Sequence, residues 1–97
     1  MMGAVLDQAV AELNRRMAGK SFDGTAKVVL SGEGSVVIDG AGAREGDDPA
    51  DVTLTAEPDT FQQIVSGDLD ATAAFMTGKL QLDGDMGRAM QLAAILG

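Results

Sequence analysis

No cysteine and no histidine occur among the 97 residues, and each absence removes a class of chemistry. Without thiols there is no disulfide, no thiolate zinc site and no cysteine nucleophile. Without imidazole the usual general base and the commonest metal ligand are missing, and with them every triad built on histidine. Tryptophan and tyrosine are also absent, so a base-stacking platform would rest on Phe22, Phe61 and Phe75 alone. Positive charge is scarce. Seven Lys and Arg against 15 Asp and Glu give a net charge of −8, and only Arg15 and Arg16 adjoin, beside Lys20. A phosphate-neutralising surface needs clustered cations, so nucleic acid is not an expected partner. No apolar run approaches the ~18 residues of a membrane span. Met1 to Leu6 has no basic stretch before its apolar residues, and Asp7 interrupts them, which is not a signal peptide. These absences predict a cytoplasmic protein with no catalytic residues and no cofactor.

What is present belongs to a folded chain: 45% hydrophobic and 23% charged. The length predicts a single domain over residues 1–97. Such a chain buries only ~60–70% of the surface its unfolded form exposes, so an internal cavity would consume much of the core.

Residues 1–19 read as an amphipathic helix, with Val5, Leu6, Ala9, Val10, Leu13 and Met17 at helical spacing and Gly19 as its stop. From Thr25 the pattern changes to strands. Thr25 to Ser31 and Ser35 to Asp39 are β-branched runs joined by Gly32, Glu33 and Gly34, a hairpin signal. Asp51 to Ala56 alternates cleanly, with Val52, Leu54 and Ala56 on one face. The connection from Gly40 to Pro49 is rich in turn formers and acids, exposed, with room for one short edge strand. Pro58 opens a helix carrying Phe61, Ile64 and Val65, and Gly67 closes it. Asp70 caps a second short helix with Ala73, Ala74 and Met76, ending at Gly78. Lys79 to Asp83 alternates again, with Leu80 and Leu82 together. Asp85 caps the last helix, whose predicted buried stripe is Met86, Ala89, Met90, Ala93 and Leu96, with Leu92 at its border. Hairpin-linked strands grouped ahead of helices indicate α+β architecture.

Several motifs invite a function and fail on spacing. Gly19, Lys20 and Ser21 resemble the end of a phosphate loop, but position 14 is Asn14 where that loop needs glycine, and a helix precedes it in place of a strand. Gly46 falls one residue too late after Gly40 and Gly42 for a dinucleotide fingerprint. The carboxylate pairs Asp47 and Asp48, Asp68 and Asp70, and Asp83 and Asp85 do not continue into a calcium-loop pattern, and Asp70 and Asp85 already serve as helix caps. No metal site is expected. Six methionines against three aromatics are more telling, since Met17, Met76, Met86 and Met90 all fall on predicted buried stripes. Unbranched thioethers adapt their shape, which suits either an ordinary core or an apolar pocket.

The second half of the chain resembles the sterol carrier protein two family. The likeness rests on Phe75, Met76, Gly78, Lys79, Leu80, Leu82, Gly84, Asp85 and Met86 in that order, with Phe22 and Gly24 before the hairpin as a weaker match upstream. The resemblance implies a mostly antiparallel sheet of four to five strands covered on one face by helices, with a hydrophobic tunnel between the layers. It also implies non-enzymatic binding and transfer of lipids such as fatty acids, acyl-CoA or sterols. The lipid-binding residues expected on that basis are Phe61, Ile64, Phe75, Met76, Leu80, Leu82, Met86, Met90 and Ala93. The polar groups expected beside the tunnel are Lys79, Gln81 and the N–H groups after Asp85. Gln81 and Gln91 stand where the family commonly has lysine, and the net charge opposes acyl-CoA and anionic membranes. The end of the chain at Gly97, directly after the last predicted helix, leads us to expect a bacterial-type member. The alternative expectation is a lipid-presenting or structural module assisting a larger complex, for example in quinone biosynthesis, with a protein partner or a second copy as its counterpart.

Overall fold

The computed structural model describes residues 4–18, 22 and 24–96. Its elements are α1 (Ala4–Met17), β1 (Ala26–Leu30), β2 (Gly34–Asp39), β3 (Gly42–Glu45), β4 (Val52–Ala56), α2 (Pro58–Ser66), α3 (Ala71–Met76), β5 (Leu80–Gly84) and α4 (Met86–Leu96). The turn expected at Gly19, Lys20 and Ser21 lies outside the described residues.

The expected α+β class holds, with five strands in the order β3-β2-β1-β4-β5. The sheet is mixed. β1 pairs antiparallel with β2, β2 with β3 and β4 with β5, but β1 and β4, at its centre, run parallel. Alternation makes one face of this sheet apolar. Ala26, Val28 and Leu30 align with Val36 and Ile38 on one side and with Val52, Leu54 and Ala56 on the other. Leu80 and Leu82 continue the row through β5. All four helices lay buried side chains on this face, so the sheet is covered on one side only.

Local chemistry explains the helix limits. Leu6, Ala9, Leu13 and Met17 form the buried stripe of α1, as their spacing predicts. Pro58 occupies the start of α2, and Gly67 ends it in the left-handed region at φ 88°. The Asp70 carboxylate accepts the Ala73 N–H at 3.2 Å, and the Asp85 carboxylate accepts the Arg88 N–H at 3.1 Å, so both predicted caps are made. Two motif glycines mark close approach. Gly84 sits at φ 107°, where a Cβ would strike the Asp51 carbonyl; Gly24, at φ 100°, lies against the Arg88 guanidinium.

The acidic connection expected between Gly40 and Pro49 does contain an edge strand, β3. Beyond β3 the chain folds back over the open face of the sheet. The Ser35 hydroxyl donates to the Gly46 carbonyl at 2.6 Å, and Lys27 meets Asp47 at 2.9 Å. Gly46 packs so near Val37 that an added Cβ would lie 3.3 Å from its methyl. Val37 is therefore fully buried on the side of the sheet that carries no helix.

Candidate functional site

The flanks of two helices converge at the margin of the core to form a groove. The stretch from Val5 to Arg16 on α1 and the stretch from Pro58 to Ser66 on α2 enclose about 720 Å³ above Leu30 of β1. Its apolar lining is Val5, Ala9, Leu30, Phe61 and Val65. Its polar rim mixes Arg15 and Arg16 with Glu12 and Asp59. Arg15 is engaged by Glu12, one turn earlier on the same helix. Arg16 is different: its Nε is buried and finds no hydrogen-bond partner among the described residues. A buried guanidinium N–H calls for an acceptor, because leaving it unpaired costs free energy. Apolar floor, one unsatisfied cationic donor and a volume within the range of small-molecule sites together suit an amphiphile with one acidic end.

Between sheet and helices the described residues form one continuous hydrophobic core, and the groove opens beside it between α1 and α2. Of the nine residues expected to bind lipid, Phe61 alone lines the groove. Ile64 and Leu80 are buried in the core beside it, and Leu82 and Ala93 pack against that core half-buried. The remaining four lie outside. Phe75 is 42% exposed, Met76 80%, Met86 49% and Met90 61%, which corrects the expectation that the methionines of α3 and α4 occupy buried stripes. The reason is the rotation of α4. Its core face is Ala89, Leu92 and Ile95, so Leu92, expected at the border, is at the centre, and Ile95 was missed. Of the four methionines expected to be buried, only Met17 is.

The polar groups expected near the head of a ligand are also elsewhere. Lys79 and Gln81 line a second, smaller groove of about 410 Å³ with Ser31, Thr55, Glu57 and Thr60. Gln81 is the cross-strand partner of Thr55, so it points to the face opposite the core. At the start of α4 the Arg88 N–H is taken by the Asp85 carboxylate and the Ala89 N–H by the Asp85 carbonyl. Two adjacent cations at the end of α1 suit the helix dipole, and nothing in their spacing distinguishes Arg15, engaged by Glu12, from Arg16, whose Nε is buried.

Acidic residues elsewhere are tied into the fold. The Arg44 guanidinium beside Asp39 holds that carboxyl below its usual range, with help from the Ala41 N–H. Lys27 does the same for Asp47, and the Arg88 backbone N–H for Asp85. Arg88 also reaches Asp51 at 3.5 Å, joining the start of α4 to the start of β4. Among the described residues no three acids gather in a way that could hold a metal ion. None of the described helices is long and apolar enough to cross a membrane.

Comparison with known proteins gives consistent results. The family model described as the SCP-2 sterol transfer family matches residues 5–97. Hydroxysteroid dehydrogenase-like protein 2 of Xenopus tropicalis is 37% identical over 98 residues, covering 93% of this chain and 24% of that protein. A fatty acid-binding protein of Yarrowia lipolytica is 39% identical over 67 residues, covering 69% of this chain and 50% of that protein. The chain thus spans a half or less of these two relatives. Among solved structures, Sterol Carrier Protein-2 of Aedes aegypti in complex with palmitate superposes with a TM-score of 0.78 at 24% identity, covering 96% of this chain and 94% of that one. At that identity the likeness establishes the fold.

Proposed function

Because the chain belongs to the SCP-2 sterol transfer family, we propose that it is a non-enzymatic carrier of long-chain lipids, binding the acyl part through the groove between α1 and α2. The observation that carries this role is the buried Nε of Arg16, which lines the apolar groove without a partner among the described residues. A fatty carboxylate supplies the missing acceptor, and its chain enters toward Phe61 and Val65. Ile64 and Leu80 belong to the core and Leu82 and Ala93 pack against it; in this proposal they shift to make room for the chain. Glu12 and Asp59 on the same rim, and the net charge of −8, oppose a polyanionic head. A fatty acid is therefore favoured over acyl-CoA. The Yarrowia fatty acid-binding protein and the palmitate complex of the Aedes protein agree with that ligand class.

Each buried CH₂ contributes ~0.8 kcal/mol before ordering costs, so affinity should rise with chain length. The ion pair at Arg16 adds head-group selectivity. Titration with a length series of fatty acids and their methyl esters tests both parts. The free acid should bind about tenfold tighter than its ester, ~1.4 kcal/mol, and Arg16→Gln should erase that difference while Lys79→Ala leaves it. No lipid adduct in native mass spectra after adding palmitate would end the carrier proposal; an acid and ester bound equally by the wild type would remove Arg16 from it.

A lipid-presenting role inside a larger protein or complex has its own support. The Xenopus relative contains a matching segment within a much longer chain. Co-purification of a stoichiometric protein partner at native expression would favour that role.

A further inference from the structure

The faces of α3 and α4 that the core does not use are apolar and carry almost no charge. Residues Ala71–Met76 contain no ionisable side chain, and Met86–Leu96 contain one, Arg88. Arg88 is half-buried and turned toward Asp85 and Asp51, at 3.0 and 3.5 Å. Yet the chain as a whole has 15 acids and seven bases. Phe75, Met76, Met86 and Met90 project from these two neutral helices, which pack against each other, and they are the described large hydrophobic side chains that remain exposed. Buried positions on the same helices are filled by Ala71, Ala74, Ala89, Leu92 and Ile95, so the core needs none of the four.

We propose that this α3–α4 face docks on an electrically neutral lipid surface. Three observations select that occupant. Flexible thioethers and one phenyl ring insert among acyl chains without demanding a fixed complementary shape. The two helices offer few outward polar side chains, Thr72 and Gln91 among them, and no Tyr, Trp or outward-turned Arg of the kind that anchors a specific protein interface. A second copy brings another −8, and an anionic bilayer repels the whole chain, whereas a zwitterionic or uncharged surface matches the neutrality of the face. α4 also packs against α1, one wall of the groove. The proposal deepens the carrier role, but docking is measured without any cargo.

The chain has no tryptophan, so a single introduced indole reports alone. Met76→Trp and Met90→Trp should each shift to the blue on addition of phosphatidylcholine vesicles, while Val29→Trp, on the open face of the sheet, should not move. Co-sedimentation with the same vesicles should fall at least tenfold in the double variant Met76→Glu, Met90→Glu, whose positions are exposed and whose far-UV circular dichroism should match the wild type. Replacing a third of the lipid by phosphatidylserine should weaken association severalfold at low salt, and added salt should restore it. Palmitate binding in vesicle-free solution should be unchanged in the double variant; its loss in that setting would count against the groove assignment and leave docking standing. Equal shifts at all three indoles, tighter association with anionic vesicles, or sedimentation as a dimer that the double variant abolishes would overturn the proposal, the last in favour of a second copy.

Discussion

At the edge of the sheet the side-chain amide of Asn14 completes what β3 lacks. Its Nδ2 donates to the Ala43 carbonyl at 3.0 Å, and its Oδ1 accepts the Ala43 N–H at 2.9 Å. A helix residue thereby takes the place of a sixth strand and protects an edge that could otherwise pair with another chain. Asn14→Ala removes both bonds and should cost ~1–2 kcal/mol, read from the urea midpoint. Asn14→Asp keeps the acceptor but sets a carboxylate oxygen against the Ala43 carbonyl, so it should cost at least as much as Asn14→Ala. In the sequence Asn14 is simply a polar residue on the wet side of an amphipathic pattern. Periodicity assigns faces, and it is blind to a side chain that reaches sideways to a strand almost thirty positions later.

Elements whose two sides differ in polarity were readable. α1 alternates charged and apolar residues around its axis, α2 is bracketed by Pro58 and Gly67, and Asp70 and Asp85 announce the next two helices. α4 offers no such contrast. Its eleven residues include a single charge, so the helical spacing fits several rotations nearly equally, and methionine and leucine look alike to a hydrophobic pattern. Packing decides: branched Leu92 and Ile95 go inward and the unbranched Met86 and Met90 go out. Leu92→Ala should cost ~2–5 kcal/mol, whereas Met90→Ala should stay within about 0.5 kcal/mol of the wild type. Chemical denaturation of the two variants separates this rotation from the alternative, which reverses the order. The groove was hidden for a related reason. It is built from the flanks of two helices that are separated in sequence by four strands, and the parallel pairing of β1 with β4 leaves no mark on the alternation of either strand.

For the molecule as a whole, acid pH should be more damaging than a chain so rich in carboxylates suggests. Asp39, Asp47 and Asp85 each have a folded pKa below the ordinary 3.8. Their stabilisation is complete above that value and disappears as pH falls through the lower folded values. Relief of self-repulsion acts in the opposite sense between neutrality and about pH 4, where the net charge of −8 shrinks. Urea midpoints measured from pH 7 down to pH 2 should therefore pass a maximum in the mildly acidic range and then drop. The triple variant Asp39→Asn, Asp47→Asn, Asp85→Asn should show a shallower drop. The central parallel pair has a consequence of another kind, for the order in which the fold assembles. Ala26 through Leu30 must find Val52 through Ala56 across the whole β2–β3 meander, and no tight turn brings them together. The entropy of closing that loop is lost before its contacts form, so the local β1–β2 and β2–β3 hairpins come early and the joining of β1 to β4 sets the pace. Until that step the two most apolar strands each keep a bare edge, and the interval before they meet is when a newly made chain is most open to pairing with a stranger.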